Sequence, residues 1–389
     1  MNPSTARRSQ VVHQDEPRNS EPSLQRLTGD YLTPSDLFFV RSHAPVPEVD
    51  VDSFRLRVGG QVVNELSLSL EDLRRNFEEA TTVATLQCAG NRRDELMAVR
   101  EIPGEVPWGA GAIGNARWTG ARLRDVLSAA GIETARPGDP EAGSGTNAAS
   151  GSGSGPEPDA RHVAFTGLDQ IEKDGEVFGF GGSIPLEKAL DPSVLLAWEM
   201  NGEPLAPDHG FPLRVVVPGY IGARSVKWLG EITVQSRPSD NYYQARAYKL
   251  FPPEVGPETV DWTAGLMLGE LPVQAVVTRP APGEEPEAGS VRIRGYALSG
   301  GDRTIQRVDV SSDGGLSWTV ANLTDGEDRP GSWRFWEAEL DLPAGEHELV
   351  ARAWDSSANT QPEHVGPIWN FKGYVSNAWH RVRVRVTGP

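Results

Sequence analysis

The chain has 389 residues, 38% of them apolar, which is enough to build two buried cores. A formal net charge of -17 argues against nucleic acid or an anionic membrane surface as partner. One cysteine excludes an intramolecular disulfide, and no run of about 18 apolar residues is present to cross a bilayer as a helix.

Residues 1–35 read as a poorly ordered tail. Arg7-Arg8 is a twin-arginine pair, but Ser9 to Leu27 is polar and lacks the apolar core of a signal peptide, so a cytoplasmic protein is expected. Ser69 to Phe77 predicts a short helix capped by Ser69, and Thr82 to Gln87 a strand. Leu123, Val126, Leu127 and Ala130 have helical spacing, giving a helix over Gly120 to Ala130 that Gly131 stops. Residues 137–160, rich in Gly, Ser, Pro and Ala, read as a solvated loop inserted within one domain. A helix start at Ser183-Ile184-Pro185, a strand Val194 to Met200, an Asn201-Gly202 turn and a strand Leu213 to Val217 follow, so this part is mixed α and β. From about Tyr243 the pattern changes to strand-like alternation: Val291 to Tyr296, Arg307 to Val310, Trp318 to Val320, Trp333 to Leu340, Glu348 to Trp354 and Arg381 to Val386. That spacing, with turn residues between, predicts a β-sandwich.

The lone Cys88 ends an apolar strand-like run, in Thr85-Leu86-Gln87-Cys88-Ala89-Gly90-Asn91-Arg92-Arg93. A thiolate nucleophile would need a base, for which His43 and His209 are candidates, though neither lies in a protease signature. A zinc site would need a second cysteine or a close histidine pair, and the spacings offer neither. Rigid-looking segments supply cationic and aromatic side chains instead: Arg41, Arg92, Arg93, Trp108, Arg214, Lys227, Tyr248 and Lys372. Cations around a soft sulfur donor suggest an anionic substrate or cofactor beside a metal.

The segments Leu86 to Arg93, Ala116-Arg117-Trp118-Thr119-Gly120, Asp208 to Arg214, Gly222-Ala223-Arg224-Ser225-Val226-Lys227-Trp228 and Ser376 to Val382 closely resemble the sulfite oxidase family. The resemblance runs from about Asp36 to Val386, without the insertion. It implies an α+β protein: a molybdopterin-binding domain over 36–237, mixed α/β, followed by an immunoglobulin-like dimerisation sandwich over 238–389. It also implies one molybdenum-molybdopterin per chain, with Cys88 as the protein's ligand to the metal. Cofactor contacts implied by the matched motifs are Phe39, Val40, Arg41, Ser42, His43, Asp169, His209, Arg214, Ser225, Val226 and Lys227, Ser42 standing where animal members are expected to carry Asn. Arg41, Arg93, Trp108 and Tyr248 match the family's sulfite-pocket residues, and Lys372 falls on its remaining arginine.

The implied reaction is oxidation of sulfite to sulfate by oxygen-atom transfer, with Tyr248 coupling proton movement to reoxidation. No haem domain fits ahead of Asp36 and no Cys-x-x-Cys-His site exists, so electrons are expected to leave to an external acceptor, a cytochrome, a quinone-linked protein or dioxygen. The alternatives are the same scaffold acting on nitrate or a sulfoxide, and a non-catalytic cofactor-binding protein. A homodimer is implied, with Trp333, Trp336 and Trp369 available either for a two-fold interface or for the core.

Overall fold

A computed structural model describes residues 10–132, 160–326 and 329–388 of the chain. The Arg7-Arg8 pair and the insertion expected over 137–160, apart from Ala160, lie outside the described residues.

The N-terminal stretch departs from expectation. Instead of a loose tail, β1 (Gln10–Gln14) and β2 (Asn19–Pro22) form a hairpin, and β2 pairs with β3 (Val40–Arg41) in a three-stranded sheet. Asn19, Ser20 and Glu21 are buried. The segment is polar because its side chains bond inward to the first domain, a use of polarity that composition alone reads as solvation.

The first domain contains two larger sheets. One has the order β11-β8-β15-β4-β5, built from β4 (Leu56–Gly60), β5 (Leu66–Leu68), β8 (His162–Gly167), β11 (Gly181–Pro185) and β15 (Leu229–Gln235). Its one parallel pair is β15 with β4. The other has the order β13-β12-β7-β6, with β14 also on β12; its strands are β6 (Glu79–Gln87), β7 (Ile113–Arg122), β12 (Leu195–Met200), β13 (Glu203–Pro204) and β14 (Arg214–Val216). A small hairpin joins β9 (Ile171–Lys173) to β10 (Glu176–Phe178).

Helices are short. α1 (Leu70–Asn76) is capped by Ser69, as the sequence predicts, and the structure adds Asp72 as the other half of a reciprocal capping box. α2 (Arg93–Val99) follows Cys88, and α3 (Leu123–Ala129) buries Leu123, Val126 and Leu127. The helix expected from Gly120 starts three residues late because Gly120 to Arg122 continue the β7 ladder against β12. Gly120 is required there: a Cβ would sit 2.0 Å from Leu196 O.

A single-turn π-helix, Tyr243–Ala247, leads through Tyr248 to β16 (Lys249–Leu250), which pairs with β17 (Leu266–Met267). The second domain is a sandwich of two four-stranded antiparallel sheets. One has the order β18-β19-β23-β22, from β18 (Gln274–Arg279), β19 (Gly289–Leu298), β22 (Asn322–Leu323) and β23 (Arg334–Leu342). The other has the order β21-β20-β24-β25, from β20 (Ile305–Ser311), β21 (Thr319–Val320), β24 (Gly345–Asp355) and β25 (His380–Val386).

Trp336 belongs to the sandwich core, while Trp333 packs in one cluster with first-domain side chains. Trp369 is buried with Leu96, Phe251 and Phe371. All three tryptophans are therefore core residues of the monomer, not an exposed two-fold surface. Polar contacts also cross between the domains: Tyr296 Oη donates to Ala110 O at 2.9 Å, and Arg92 Nη2 to Ala378 O at 2.7 Å.

Candidate active site

The end of β6 sets the site. Its ladder with β7 ends at Gln87, opposite Ile113, and the chain then turns through Cys88-Ala89-Gly90-Asn91 into α2. Gly90 N donates to Cys88 Sγ at 3.4 Å. Burial pushes the Cys88 thiol above its usual pKa, opposed by the Arg41 and Arg93 charges.

Cys88 lies on the wall of a cleft. Phe39, Arg41, Ser42 and His43 line it from the segment after the N-terminal hairpin, and Asp169, His209, Arg214, Ser225, Lys227 and Tyr248 from five further segments. These residues are spread over more than 200 positions of sequence and meet only through the fold. Val40 and Val226 do not line the cleft; both are buried apolar side chains on neighbouring backbone.

The cleft is cationic at one end. Arg214 Nη1 donates to His209 O at 2.9 Å and Nη2 to Ser225 O at 3.0 Å, and its guanidinium lies over the Trp118 ring. Burial pulls this guanidinium down to about 9, still charged at neutral pH. Lys227 Nζ donates to Ser42 Oγ and to Asp208 O, each at 2.9 Å. Burial and the Arg214 charge pull its pKa down to about 7; the surface it keeps faces the cleft. Neither cation forms an ion pair with a carboxylate among the described residues, and such buried charges are costly unless something anionic joins them. Serine at position 42 preserves an acceptor for Lys227. His209 is held at about 4 by burial, against its bond to Ser35 O at 2.9 Å, so it is a neutral group.

At the other end Tyr248 Oη lies 3.1 Å from His43 Nε2, and His43 stacks on Phe180 with ring centroids 4.7 Å apart. Burial, Arg41 and Lys227 keep His43 neutral. Tyr248 stacks on Tyr374 at 5.2 Å, and the Arg93 guanidinium covers the same Tyr374 ring. Arg93 is fixed by Gly373 O at 3.0 Å and Val106 O at 2.8 Å, with Glu105 at 3.5 Å. Two glycines make room for it: a Cβ at Gly90 or at Gly373 would come within 2.6 Å of the Arg93 side chain.

Three expected pocket residues do not line the cleft: Arg93, fixed by the Gly373 and Val106 carbonyls, Lys372 and Trp108. Lys372 pairs with Glu105 and does not line the cleft; its ammonium has gone to the nearest carboxylate, the one Arg93 also approaches. Trp108 is fully buried in the apolar cluster that includes Cys88 and Phe39, edge-on to His13, and does not line the cleft either.

A family model described as the oxidoreductase molybdopterin binding domain matches residues 43–243, and one described as the Mo-co oxidoreductase dimerisation domain matches residues 266–387. The chain is 49% identical to sulfite oxidase, mitochondrial, of Homo sapiens, over 97% of its own length and 66% of that protein. It is 40% identical to the sulfite oxidase of Arabidopsis thaliana, over 96% of its length and 93% of that protein. The chain belongs to the sulfite oxidase family. Its fold also matches the sulfane dehydrogenase SoxCD from Paracoccus pantotrophus, with a TM-score of 0.77 and 25% identity over 99% of this chain and 90% of that one. The chain spans slightly under two thirds of the length of the mammalian sulfite oxidases it matches.

The residues of this member of the sulfite oxidase family fit the molybdenum cofactor. Cys88 puts one soft donor on the cleft wall, and no three His, Cys, Asp or Glu side chains among the described residues converge as a metal cage. The remaining ligands would come with the cofactor's own sulfurs, as the resemblance implies. Arg214 and Lys227 supply a pair of buried cations with no carboxylate in ion-pair contact among the described residues, the Asp208 and Asp169 carboxylates of the same cleft acting on Lys227 only from farther off.

The sequence reading missed several residues that shape the cleft: Asn19 and Glu21 on β2, Glu105, Phe180 and Tyr374. Nothing periodic marks them, because each acts across a long sequence separation. A buried aromatic such as Tyr374 reads as core, and Asn19 lies in a stretch that reads as a tail.

Proposed function

We propose that this protein oxidises sulfite to sulfate at a molybdenum cofactor held in the cleft, works as a homodimer through its C-terminal domain, and passes electrons to an external acceptor. When bound, the cofactor supplies oxygen-atom transfer and takes up the two electrons of the oxidation. Everything else falls to the chain. Cys88 provides the thiolate ligand, and binding a metal favours the deprotonated form that burial alone disfavours. Arg214 and Lys227 hold an anionic part of the cofactor by charge-assisted hydrogen bonds, Lys227 regaining its full positive charge as it does so.

Arg41 and Arg93 both lower the pKa of the Cys88 thiol, so both fields reach the place where an oxyanion beside the metal would sit. A guanidinium keeps its charge and presents a fork of donors, which suits a small oxyanion. Tyr248 is kept protonated by burial and lies next to a neutral imidazole, so the phenol can donate a hydrogen bond at the reacting end and return a proton through His43.

The observation that carries this reading is that Cys88 and Arg41 share one cleft with the unpaired Arg214 and Lys227. Steady-state reduction of ferricyanide by cofactor-loaded protein, with sulfite as donor, tests it; nitrate is assayed in parallel against reduced enzyme. Cys88→Ser should fold and lose at least about 99% of turnover, since a hard oxygen donor alters the metal's electronics. Retention of a tenth of wild-type turnover by Cys88→Ser, or nitrate reduction with negligible sulfite oxidation, overturns the proposal.

A further inference from the structure

We infer that the N-terminal hairpin is a working part of the anion pocket, and that Asn19 is the positioning residue that sets the Arg41 guanidinium. The inference rests on the reading of Arg41 as a sulfite-binding group. The matched molybdopterin-domain model begins at residue 43, so it takes in neither the hairpin nor Arg41.

Asn19 pairs with Arg41 across the β2–β3 ladder and has no exposed surface. Its Oδ1 accepts from Arg41 Nη1 at 3.0 Å and from the Ser42 backbone N at 3.2 Å. Its Nδ2 donates to Gln14 Oε1 at 3.1 Å and to Pro17 O at 2.9 Å. An amide oxygen offers two acceptor sites and the amide nitrogen two donors, so all four are used and the group cannot rotate.

Arg41 Nη1 also donates to Ser42 O at 2.7 Å. Among the described residues the guanidinium makes no other hydrogen bond, so the rest of its fork is left for the cleft it lines. The chemistry of the partner matters: a neutral amide fixes the fork without neutralising it, whereas Arg93 faces the Glu105 carboxylate.

The hairpin is itself pinned. Glu21, two residues along β2 and so on the same face as Asn19, accepts from Gly109 N at 2.8 Å and Gly111 N at 2.9 Å, and its Oε1 lies 2.7 Å from His13 Nε2. A Cβ at Gly111 would sit 2.5 Å from Pro22 O, so that loop can approach β2 only as glycine. The clamp explains why a polar segment is buried.

The test is sulfite steady-state kinetics on cofactor-loaded wild type, Asn19→Ala, Asn19→Asp, Arg41→Gln and the Asn19→Ala/Arg41→Gln double variant, with molybdenum content measured for each. Loss of one hydrogen bond to a charged group is worth about tenfold in binding. Asn19→Ala should therefore raise the sulfite KM about tenfold with kcat within about threefold and molybdenum content unchanged. In the Arg41→Gln background the same change should add less than about twofold, because its route of action is gone. Asn19→Asp is isosteric, keeps the acceptor and places a carboxylate on Arg41, so its KM should rise further than that of Asn19→Ala.

A wild-type KM in Asn19→Ala beside a raised one in Arg41→Gln overturns the inference. So does a KM penalty that persists in full in the double variant, which would mark the hairpin as structural support only. Should Asn19→Ala fail to fold or to hold molybdenum, Asn19→Asp decides, and a wild-type KM there overturns it. An Arg41→Gln variant with wild-type KM would instead refute the pocket reading on which the inference stands.

Discussion

Asp309 in the sandwich and Arg214 in the cleft are both buried charges, and the two domains treat them differently. Asp309 has no exposed side-chain surface and meets two guanidiniums, Arg307 Nε at 2.6 Å and Arg352 Nη2 at 3.2 Å. Asp355 in the same domain accepts from Ser299 and Asn359 and pairs with Arg303. In the first domain Arg214 and Lys227 have only carbonyl and hydroxyl oxygens as hydrogen-bond partners. A compensated buried charge is part of the scaffold. One with no carboxylate in contact, set beside a cleft, is suited to take an anion as its partner, and the energy withheld from folding becomes available to binding.

The largest expected effect tests a group midway between these cases. Arg93 is buried and fixed by carbonyls, with Glu105 only at 3.5 Å. Arg93→Gln should lower kcat/KM for sulfite by about 2–4 kcal/mol, the cost of removing a desolvated charge from an anion site. A loss below about tenfold in steady-state kinetics would place Arg93 with the scaffold charges.

Paired substitutions break the comparison directly. Arg214→Met removes an uncompensated cation, so cofactor-free protein should gain roughly 1–3 kcal/mol in urea unfolding while purified protein loses most of its molybdenum. Asp309→Asn should cost about 2–3 kcal/mol and leave molybdenum content unchanged. The cost is below the fully buried figure because both guanidinium partners reach solvent. Stabilities moving in the same direction in the two variants would refute the distinction.

The pH dependence of folding sharpens it. Lys227 falls to about 7 from 10.5 in the folded cleft, so between those values the unfolded chain binds the extra proton. Stability of the cofactor-free protein should therefore rise with pH across that window, by about 1.4 kcal/mol per unit from this one group. Cofactor-loaded protein should lack this rise, because an anion beside Lys227 restores its charge. Urea titrations at neutral and alkaline pH, with and without cofactor, read the difference; parallel curves would remove Lys227 from the anion site.

The smallest effect is expected at Lys372. Its partner is Glu105, so Lys372→Ala should change the sulfite KM by no more than about threefold, the order of one part-exposed ion pair. A rise of thirtyfold would return Lys372 to the pocket.

The sequence by itself determined the parts that depend on neighbours in the chain. Ser69 announces a capped helix, alternation after Val291 announces sandwich strands, and the Cys88 to Arg93 motif, through its family likeness, marks the lone thiol for a role in the site. The motifs also named most of the cleft lining through their family likeness, although nothing in their spacing showed those segments meeting. Only the tertiary structure decided the rest. It seated Gln10 to Pro22 against the first domain, buried Trp333, Trp336 and Trp369, and carried Gly120 to Arg122 into β7 where helical spacing had pointed to α3. It also gave Lys372 to Glu105 and Arg41 to Asn19. The reason is the same throughout: a charge or a hydrogen-bonding group takes the partner nearest in space, and whether that partner is protein, water or a ligand is fixed only when distant segments pack together.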